Sequence, residues 1–165
     1  MNCPNCKAMM QKSELSHICK ACGFAMPFVY RGRRISEKEI EELGATKKTN
    51  WRSGWTKKDA RGTLDGRLVL SKNALSFEAK TLSAKCPKCK SAIYKNSKKW
   101  QCSGENCDFE VSQTLYGRNF SEEELEKLLA FGYSDNFDNF VSSKGKYYRG
   151  FIEIGEFFTL KMNFL

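Results

Sequence analysis

The residues with the clearest chemistry in this sequence are its eight cysteines, which form two groups of four. The groups are Cys3, Cys6, Cys19 and Cys22, then Cys86, Cys89, Cys102 and Cys107. In each group a Cys-x-x-Cys turn points two thiolates at one centre, and the following stretch is long enough for a hairpin that returns the chain to it. Four thiolates complete the tetrahedral shell of Zn²⁺ and leave no open position, as in structural sites. The sequence therefore predicts two zinc ribbons with one Zn²⁺ each.

Disulfides and an iron–sulfur cluster are the alternative fates of these cysteines. The first residues lack a charged region followed by an apolar stretch, so we expect no secretory signal and a reducing, cytoplasmic compartment. Thiols in such a compartment are metal ligands more often than disulfides. A four-thiolate set alone does not exclude an iron–sulfur cluster. His17, the only histidine, is expected in a hairpin rather than at the metal, because four thiolates already complete the site.

An internal repeat connects the two groups. The motif Cys3-Pro4-Asn5-Cys6 returns as Cys86-Pro87-Lys88-Cys89, 83 residues later. The segment from Gly32 to Ile40 returns from Gly117 to Leu125, at an offset of 85. Because separate signatures recur in the same order, the sequence predicts two tandem units, residues 1–85 and 86–165.

Each unit has a strong helix start signal after its ribbon. The capping boxes pair Ser36 with Glu39 and Ser121 with Glu124. In such a box the serine accepts from the N3 amide while the glutamate accepts from the N-cap amide. The two helices are expected to end near Gly44 and Gly132.

Alternating apolar residues follow each helix and predict strands. The segments are 68–70 and 75–77 in the first unit, and 146–154 and 157–164 in the second. The predicted fold class is α+β, with two tandem small units. Each consists of a four-cysteine zinc ribbon, one short helix and an antiparallel strand pair.

The order of these motifs resembles the C-terminal zinc-ribbon repeats of bacterial type IA DNA topoisomerases. The likeness is greatest to the topoisomerase III-type repeats of plasmid and mobile-element enzymes, and 139–146 is similar to their F-x-S-K-x-G-K segment. Residues 49–67 depart from that pattern with a segment rich in Trp and Lys. The resemblance implies two tandem copies without the catalytic domains, a nucleic-acid-binding appendage. We therefore expect no enzyme activity.

Charge is divided unevenly between the two units. The formal net charge is +9. Residues 1–85 hold 17 Lys and Arg against eight Asp and Glu, whereas residues 86–165 hold 11 of each. One Zn²⁺ with four thiolates adds about −2 to each unit. The excess of positive charge in the first unit favours a polyanionic partner there.

Cations and indoles are concentrated together between residues 47 and 61. Single-stranded nucleic acid is bound by this combination, since cations contact phosphates and rings stack on unpaired bases. The candidate binding residues are Arg31, Arg33, Arg34, Lys47, Lys48, Trp51, Arg52, Trp55, Lys57, Lys58 and Arg61. The alternative is that Trp51 and Trp55 lie in the core as equivalents of Phe137 and Phe140.

Two classes of function follow from these observations. The first is a non-catalytic zinc protein that binds nucleic acid, single-stranded DNA above all, with little sequence preference. Trp100, Tyr147, Tyr148 and Arg149 are a weaker second set of stacking candidates. The alternative class is a protein-interaction module acting through residues 86–165, with RNA polymerase, a replication protein or a host-defence protein as partner, in a phage or mobile element. No stretch is apolar enough to span a membrane.

Overall fold

The computed structural model describes residues 1–58 and 62–165, and it divides the chain into two compact units, Met1–Lys80 and Thr81–Leu165. The second unit begins five residues earlier than its first cysteine motif. The side chain of Leu82 is buried in the second core, and its N–H donates to the carbonyl of Ile93 at 3.1 Å. The short segment before Cys86 is therefore part of the second unit rather than a linker.

The first unit begins with the ribbon, continues through a small hairpin and a helix, and ends in a sheet. Its strands are β1 (Gln11–Lys12), β2 (Ser16–Ile18), β3 (Ala25–Pro27), β4 (Val29–Tyr30), β5 (Arg33–Arg34), β6 (Arg52–Thr56), β7 (Thr63–Ser71) and β8 (Ala74–Ala79). Its helix is α1 (Glu37–Thr46). The strands form sheets of order β1-β2-β3, β4-β5 and β6-β7-β8, all antiparallel.

The second unit repeats this order. Its strands are β9 (Ile93–Asn96), β10 (Lys99–Cys102), β11 (Glu110–Ser112), β12 (Thr114–Leu115), β13 (Arg118–Asn119), β14 (Phe137–Val141), β15 (Tyr147–Ile154) and β16 (Leu160–Phe164). Its helix is α2 (Glu122–Phe131), and a short turn, Glu156–Phe158, lies between β15 and β16. Its sheets are β11-β10-β9, β12-β13 and β14-β15-β16.

Both capping boxes form as predicted, but the first helix does not end at Gly44. It continues to Thr46, and Lys47 takes the left-handed C-cap with φ 62°. The equivalent residue of the second unit is Gly132, with φ 84°. Gly44 faces the first ribbon instead, where a Cβ would lie at an ordinary contact distance of 3.6 Å from Pro4 Cα.

The predicted strand pair after each helix is a three-stranded sheet. The strands β6 and β14 were missed because a bulge interrupts their alternation, between Arg52 and Trp55 in one and between Phe137 and Phe140 in the other. The shared bulge aligns Trp55 with Phe140 and Arg52 with Phe137. The expected equivalence of Trp51 and Phe137 is therefore wrong by one residue.

Each unit has its own hydrophobic core beneath its helix. In the first, Leu43 of α1 and Leu68 of β7 are fully buried with Trp55. In the second, Leu125 of α2 and Ile152 of β15 are fully buried with Phe140, Phe120 and other apolar residues. Among the described residues, no helix combines the length and hydropathy needed to cross a bilayer.

Candidate metal centres and nucleic-acid interface

The ligand atoms of each cysteine group lie within 4.8 Å of one another. The Sγ–Sγ distance is 3.7 Å between Cys3 and Cys22 and 3.4 Å between Cys6 and Cys19. Zn–S bonds of about 2.3 Å put tetrahedral sulfurs about 3.8 Å apart, whereas a disulfide needs about 2.05 Å. All eight cysteines are free. The first group therefore has the donor set and spacing of a four-thiolate metal site.

The second group has the same arrangement despite its longer Cys-x4-Cys interval. Sγ–Sγ distances are 3.7 Å between Cys86 and Cys107 and 3.2 Å between Cys89 and Cys102. Gly104 lies within the longer interval, where the chain passes close to the sulfurs. A Cβ there would lie 3.0 Å from Cys89 Sγ, so this position has no room for a side chain. The prediction of two four-cysteine groups that could each hold a metal ion is confirmed, and both are consistent with zinc sites.

Backbone N–H groups donate hydrogen bonds to cysteine sulfurs in both sites. The N–H of Asn5 donates to Cys3 Sγ, and the N–H of Gly104 donates to Cys102 Sγ. The backbone N–H of Phe24 is the main cause that lowers the pKa of the Cys22 thiol to about 6, whereas burial is the main cause that raises the pKa of the Cys3 and Cys102 thiols. Such donors stabilise thiolates, which are the form that binds metal.

The two tryptophans proposed to stack on bases have different environments. Trp55 is 0% exposed, its Nε1 donates to the Gly66 carbonyl at 3.2 Å, and its ring packs against Phe77. An indole sealed in the core cannot stack on a nucleotide, so Trp55 leaves the candidate interface. Trp51 is 37% exposed and keeps its place there.

Arg33 is also a structural residue. Its guanidinium contacts Oε1 of the buried Glu39 at 2.6 Å and lies 4.8 Å from the Trp55 ring centroid. Arg118 repeats these contacts with Glu124 in the second unit. Burying Glu39 without a cation would be costly, so Arg33 serves the core rather than a phosphate.

Three further predicted cations have partners within the first unit. Lys47 Nζ donates to the Pro4 carbonyl at 2.7 Å, which links the helix end to the ribbon. Lys48 lies 3.3 Å from Glu78, and Arg52 lies 3.0 Å from Glu42. Lys48 remains exposed, so its pair with Glu78 is weak and open to exchange with a phosphate.

A further group of predicted cations lies around the end of β6. Its described members are Arg31, Arg34, Lys57 and Lys58. Arg31 Nε donates to the Thr56 carbonyl at 2.9 Å, and Thr56 N–H donates back to the Arg31 carbonyl, so the β4–β5 turn lies against the end of β6. Lys57 and Lys58 continue from that end, and Arg34 is exposed on β5. Arg61, the last predicted cation of this group, lies outside the described residues.

Two cations near Trp51 were missed in the sequence. Arg67 Cζ lies 4.3 Å and Lys80 Nζ 5.6 Å from the Trp51 ring centroid. Arg67 also pairs with Glu78 at 2.7 Å. Both residues are distant from Trp51 along the chain, and only the pairing of β6, β7 and β8 brings them to it. A basic residue at a solvent-facing position of β7 was the one signal that pointed to Arg67.

The second set of stacking candidates also divides into covered and exposed side chains. Trp100 is fully buried, and Tyr148 stacks on Phe140 with ring centroids 5.7 Å apart. Tyr147 and Arg149 are exposed on β15. Of these four candidates, Tyr147 and Arg149 are the ones with exposed side chains.

Comparison with known proteins gives one sequence relative of interest. The chain is 26% identical over 153 residues to DNA topoisomerase 1 of Bacillus anthracis. The match covers 86% of this chain but 18% of that protein, so the chain spans less than a fifth of the relative's length. This chain is similar to part of a topoisomerase. Together with the two four-cysteine groups, the match supports a topoisomerase-like zinc-binding region.

No family model matches the sequence, and no solved structure matches the chain.

Proposed function

We propose that this chain is a non-catalytic zinc-binding module whose first unit binds single-stranded DNA with little sequence preference. Both metal sites have four cysteine ligands, which leaves no position for a reacting water or substrate. The name of the Bacillus anthracis relative specifies DNA, which favours DNA over RNA. A cytoplasmic setting belongs to this proposal, because reduced thiols persist there.

The observation that carries the proposal is the surface around Trp51. The indole is partly exposed, and Arg67 and Lys80 lie over its ring. Lys48 joins the same surface through Glu78, which it shares with Arg67. An exposed ring among cations can stack on an unpaired base while the cations contact its phosphates. A duplex keeps its bases stacked on each other, so this surface favours a single strand.

A second group of cations lies at the other end of β6. The strand runs from Arg52 to Thr56, and five residues span about 17 Å. Arg31 and Lys58 lie beyond its far end. Single-stranded DNA lying along β6 would contact the Trp51 surface at one end of this β-strand and these cations at the other. Contacts to phosphates and ring faces carry affinity without identifying the base.

The test is a fluorescence anisotropy titration of the full, zinc-loaded chain with single-stranded DNA, duplex DNA and single-stranded RNA. We expect tightest binding to single-stranded DNA, with affinity falling at least about tenfold between roughly 50 and 200 mM salt. Trp51→Ala should weaken binding by about 1–3 kcal/mol, the usual contribution of one stacked base. Lys57→Glu with Lys58→Glu should weaken it further and lower the salt dependence.

The matched controls come from the second unit. Tyr147→Ala removes an exposed ring there. Lys144→Glu with Lys146→Glu places the same charges in the equivalent β14–β15 turn, where Ser142 N–H donates to the Lys146 carbonyl as Lys57 N–H donates to that of Gly62. If the controls reduce binding as much as the first-unit variants, or if affinity ignores salt, the proposed interface is wrong.

A further inference from the structure

Exposed aromatic side chains surround one end of the second unit, where β15 turns into β16. We call this surface the aromatic end. Its members are Tyr116, Phe131, Tyr133, Phe157 and Phe158. Their exposed fractions run from 39% for Phe158 to 89% for Phe157. Exposed apolar side chains are ordinary when scattered, whereas a contiguous group marks an interaction site.

Backbone and side-chain contacts bring these five residues together. Tyr133 forms a β-bridge with Glu153, and Ile154 N–H donates to the Gly132 carbonyl at 2.7 Å. The end of α2 therefore lies beside the end of β15. The rings of Phe131 and Tyr133 are 6.4 Å apart.

The other side of the hairpin completes the surface. Tyr116 Oη donates to the Leu160 carbonyl at 3.2 Å, and Leu160 pairs with Ile154 across the hairpin. Phe157 and Phe158 belong to the turn between these two residues. All five aromatic side chains are thus attached to the same turn and its immediate supports.

The turn holds its two phenylalanines in an unfavourable conformation. Phe157 has φ 55° and Phe158 has φ 59°, both in the left-handed region that suits Gly or Asn. Phe157 gains little from burial in return, because most of its surface is in water. Burial therefore does not explain why the large ring of Phe157 stands at this turn.

The first unit shows that the fold does not require aromatics here. At the positions equivalent to Tyr116, Phe131 and Tyr133 it has Arg31, Thr46 and Lys48. Its shorter β7–β8 turn has Lys72 and Asn73 at positive φ. The same end of one scaffold is therefore cationic and polar in one copy and aromatic in the other.

Negative charge borders the aromatic end. Glu153 and Glu156 are exposed beside the turn. The C-terminus of α2 adds the negative end of a helix dipole, with no basic residue in its last turn. The cations of this hairpin are Lys161, opposite Glu153 on β16, and Arg149, near the start of β15.

We propose that the aromatic end is a docking surface for a partner protein, which it binds through a segment of apolar side chains flanked by Lys or Arg. The rings supply large contact area at low cost in side-chain entropy, and the acidic border selects basic flanks. The acidic border repels the phosphates of a nucleic acid. Self-association through this end would place the acidic borders of two copies against each other, and their like charges would repel. This proposal stands independently of DNA binding by the first unit.

The test pans a phage-displayed library of random 12-residue peptides on the full zinc-loaded chain. We expect enriched peptides to carry clustered apolar residues with Lys or Arg beside them. Anisotropy with a synthetic copy of the best peptide then measures affinity. Tyr133→Ser with Phe157→Ser should weaken its binding at least about tenfold, because these rings are exposed anchors. Tyr147→Ser, another exposed ring of the same unit, should change it less than about twofold.

Three results would overturn the proposal. The first is no enrichment beyond that obtained on the Tyr133→Ser/Phe157→Ser chain, or enrichment of acidic peptides. The second is self-association of the wild-type chain in sedimentation that the double variant abolishes, which would make a second copy the occupant. The third is a loss of DNA affinity in the double variant equal to that of Trp51→Ala. If Trp51→Ala weakens DNA binding and leaves peptide binding intact, the two surfaces are separate.

Discussion

At the residue scale, an arginine of the small hairpin holds the capping glutamate of the following helix in both units. Arg118 contacts Glu124 through both terminal nitrogens, at 3.0 and 2.7 Å, while its Nε donates to Asn139 at 2.8 Å. Its Cζ lies 3.6 Å from the Phe137 ring centroid. This one guanidinium lowers the pKa of Glu124 and joins hairpin, helix and sheet. The recurring Gly-Arg-x-x-Ser-x-x-Glu motif is explained by that junction.

Arg118→Lys should therefore destabilise the second unit although it keeps the charge. A lysine cannot reproduce the two-nitrogen contact with Glu124 or cover Phe137 with a flat group. We expect a loss of about 1–3 kcal/mol, measured by hydrogen exchange of the α2 amides. Arg149→Lys, at an exposed position of β15, is the control and should change exchange little. Equal effects of the two variants would contradict this role for Arg118.

At the element scale, the turn between the last two strands distinguishes the copies. The first unit uses Lys72 and Asn73 at positive φ, and Asn is among the residues that tolerate this conformation. The second unit has Phe157 and Phe158 at similar angles. The hairpin forms with either pair of residues, so folding alone does not require phenylalanines in the turn of the second unit.

Phe157→Asn should raise the stability of the second unit. The change relieves a left-handed phenylalanine and removes a ring that is mostly in water. We expect a gain of about 1 kcal/mol, visible as a midpoint of thermal unfolding that is higher by a few degrees. Tyr147→Asn, at an exposed position within β15, should lower stability instead, because Asn suits strands poorly. A lower midpoint for Phe157→Asn would show that the ring has a structural role.

At the scale of the whole molecule, one duplicated scaffold carries two different surfaces. Each unit has its own metal site and its own core. Positive charge is concentrated in the first copy, and exposed aromatic residues are concentrated at one end of the second. Separate cores allow the copies to diverge in surface chemistry without loss of either fold.

Cys22→Ser should accordingly remove one metal ion and disrupt the first ribbon alone. A site with three thiolates loses most of its affinity for zinc, and ribbon folding depends on the metal. Native mass spectrometry should find one Zn²⁺ in place of two, with exchange protection retained in α2. The variant should also lose DNA binding under the proposed function. Loss of both ions, or unfolding of α2, would show that the units are not independent. Cys107→Ser is the reciprocal variant and should spare α1.

The sequence by itself determined the metal sites, the duplication and the helix starts, because these depend on local spacing. Four cysteines at fixed intervals meet at one centre, and Ser36 reaches Glu39 within one helical turn. Only the tertiary structure decided which indole is buried, because the bulge in β6 breaks the alternation that would have separated Trp51 from Trp55. Likewise, strand pairing brings Arg67 and Lys80 to Trp51, and the contact with buried Glu39 engages Arg33. Such contacts join residues that are remote along the chain, and no local pattern encodes them.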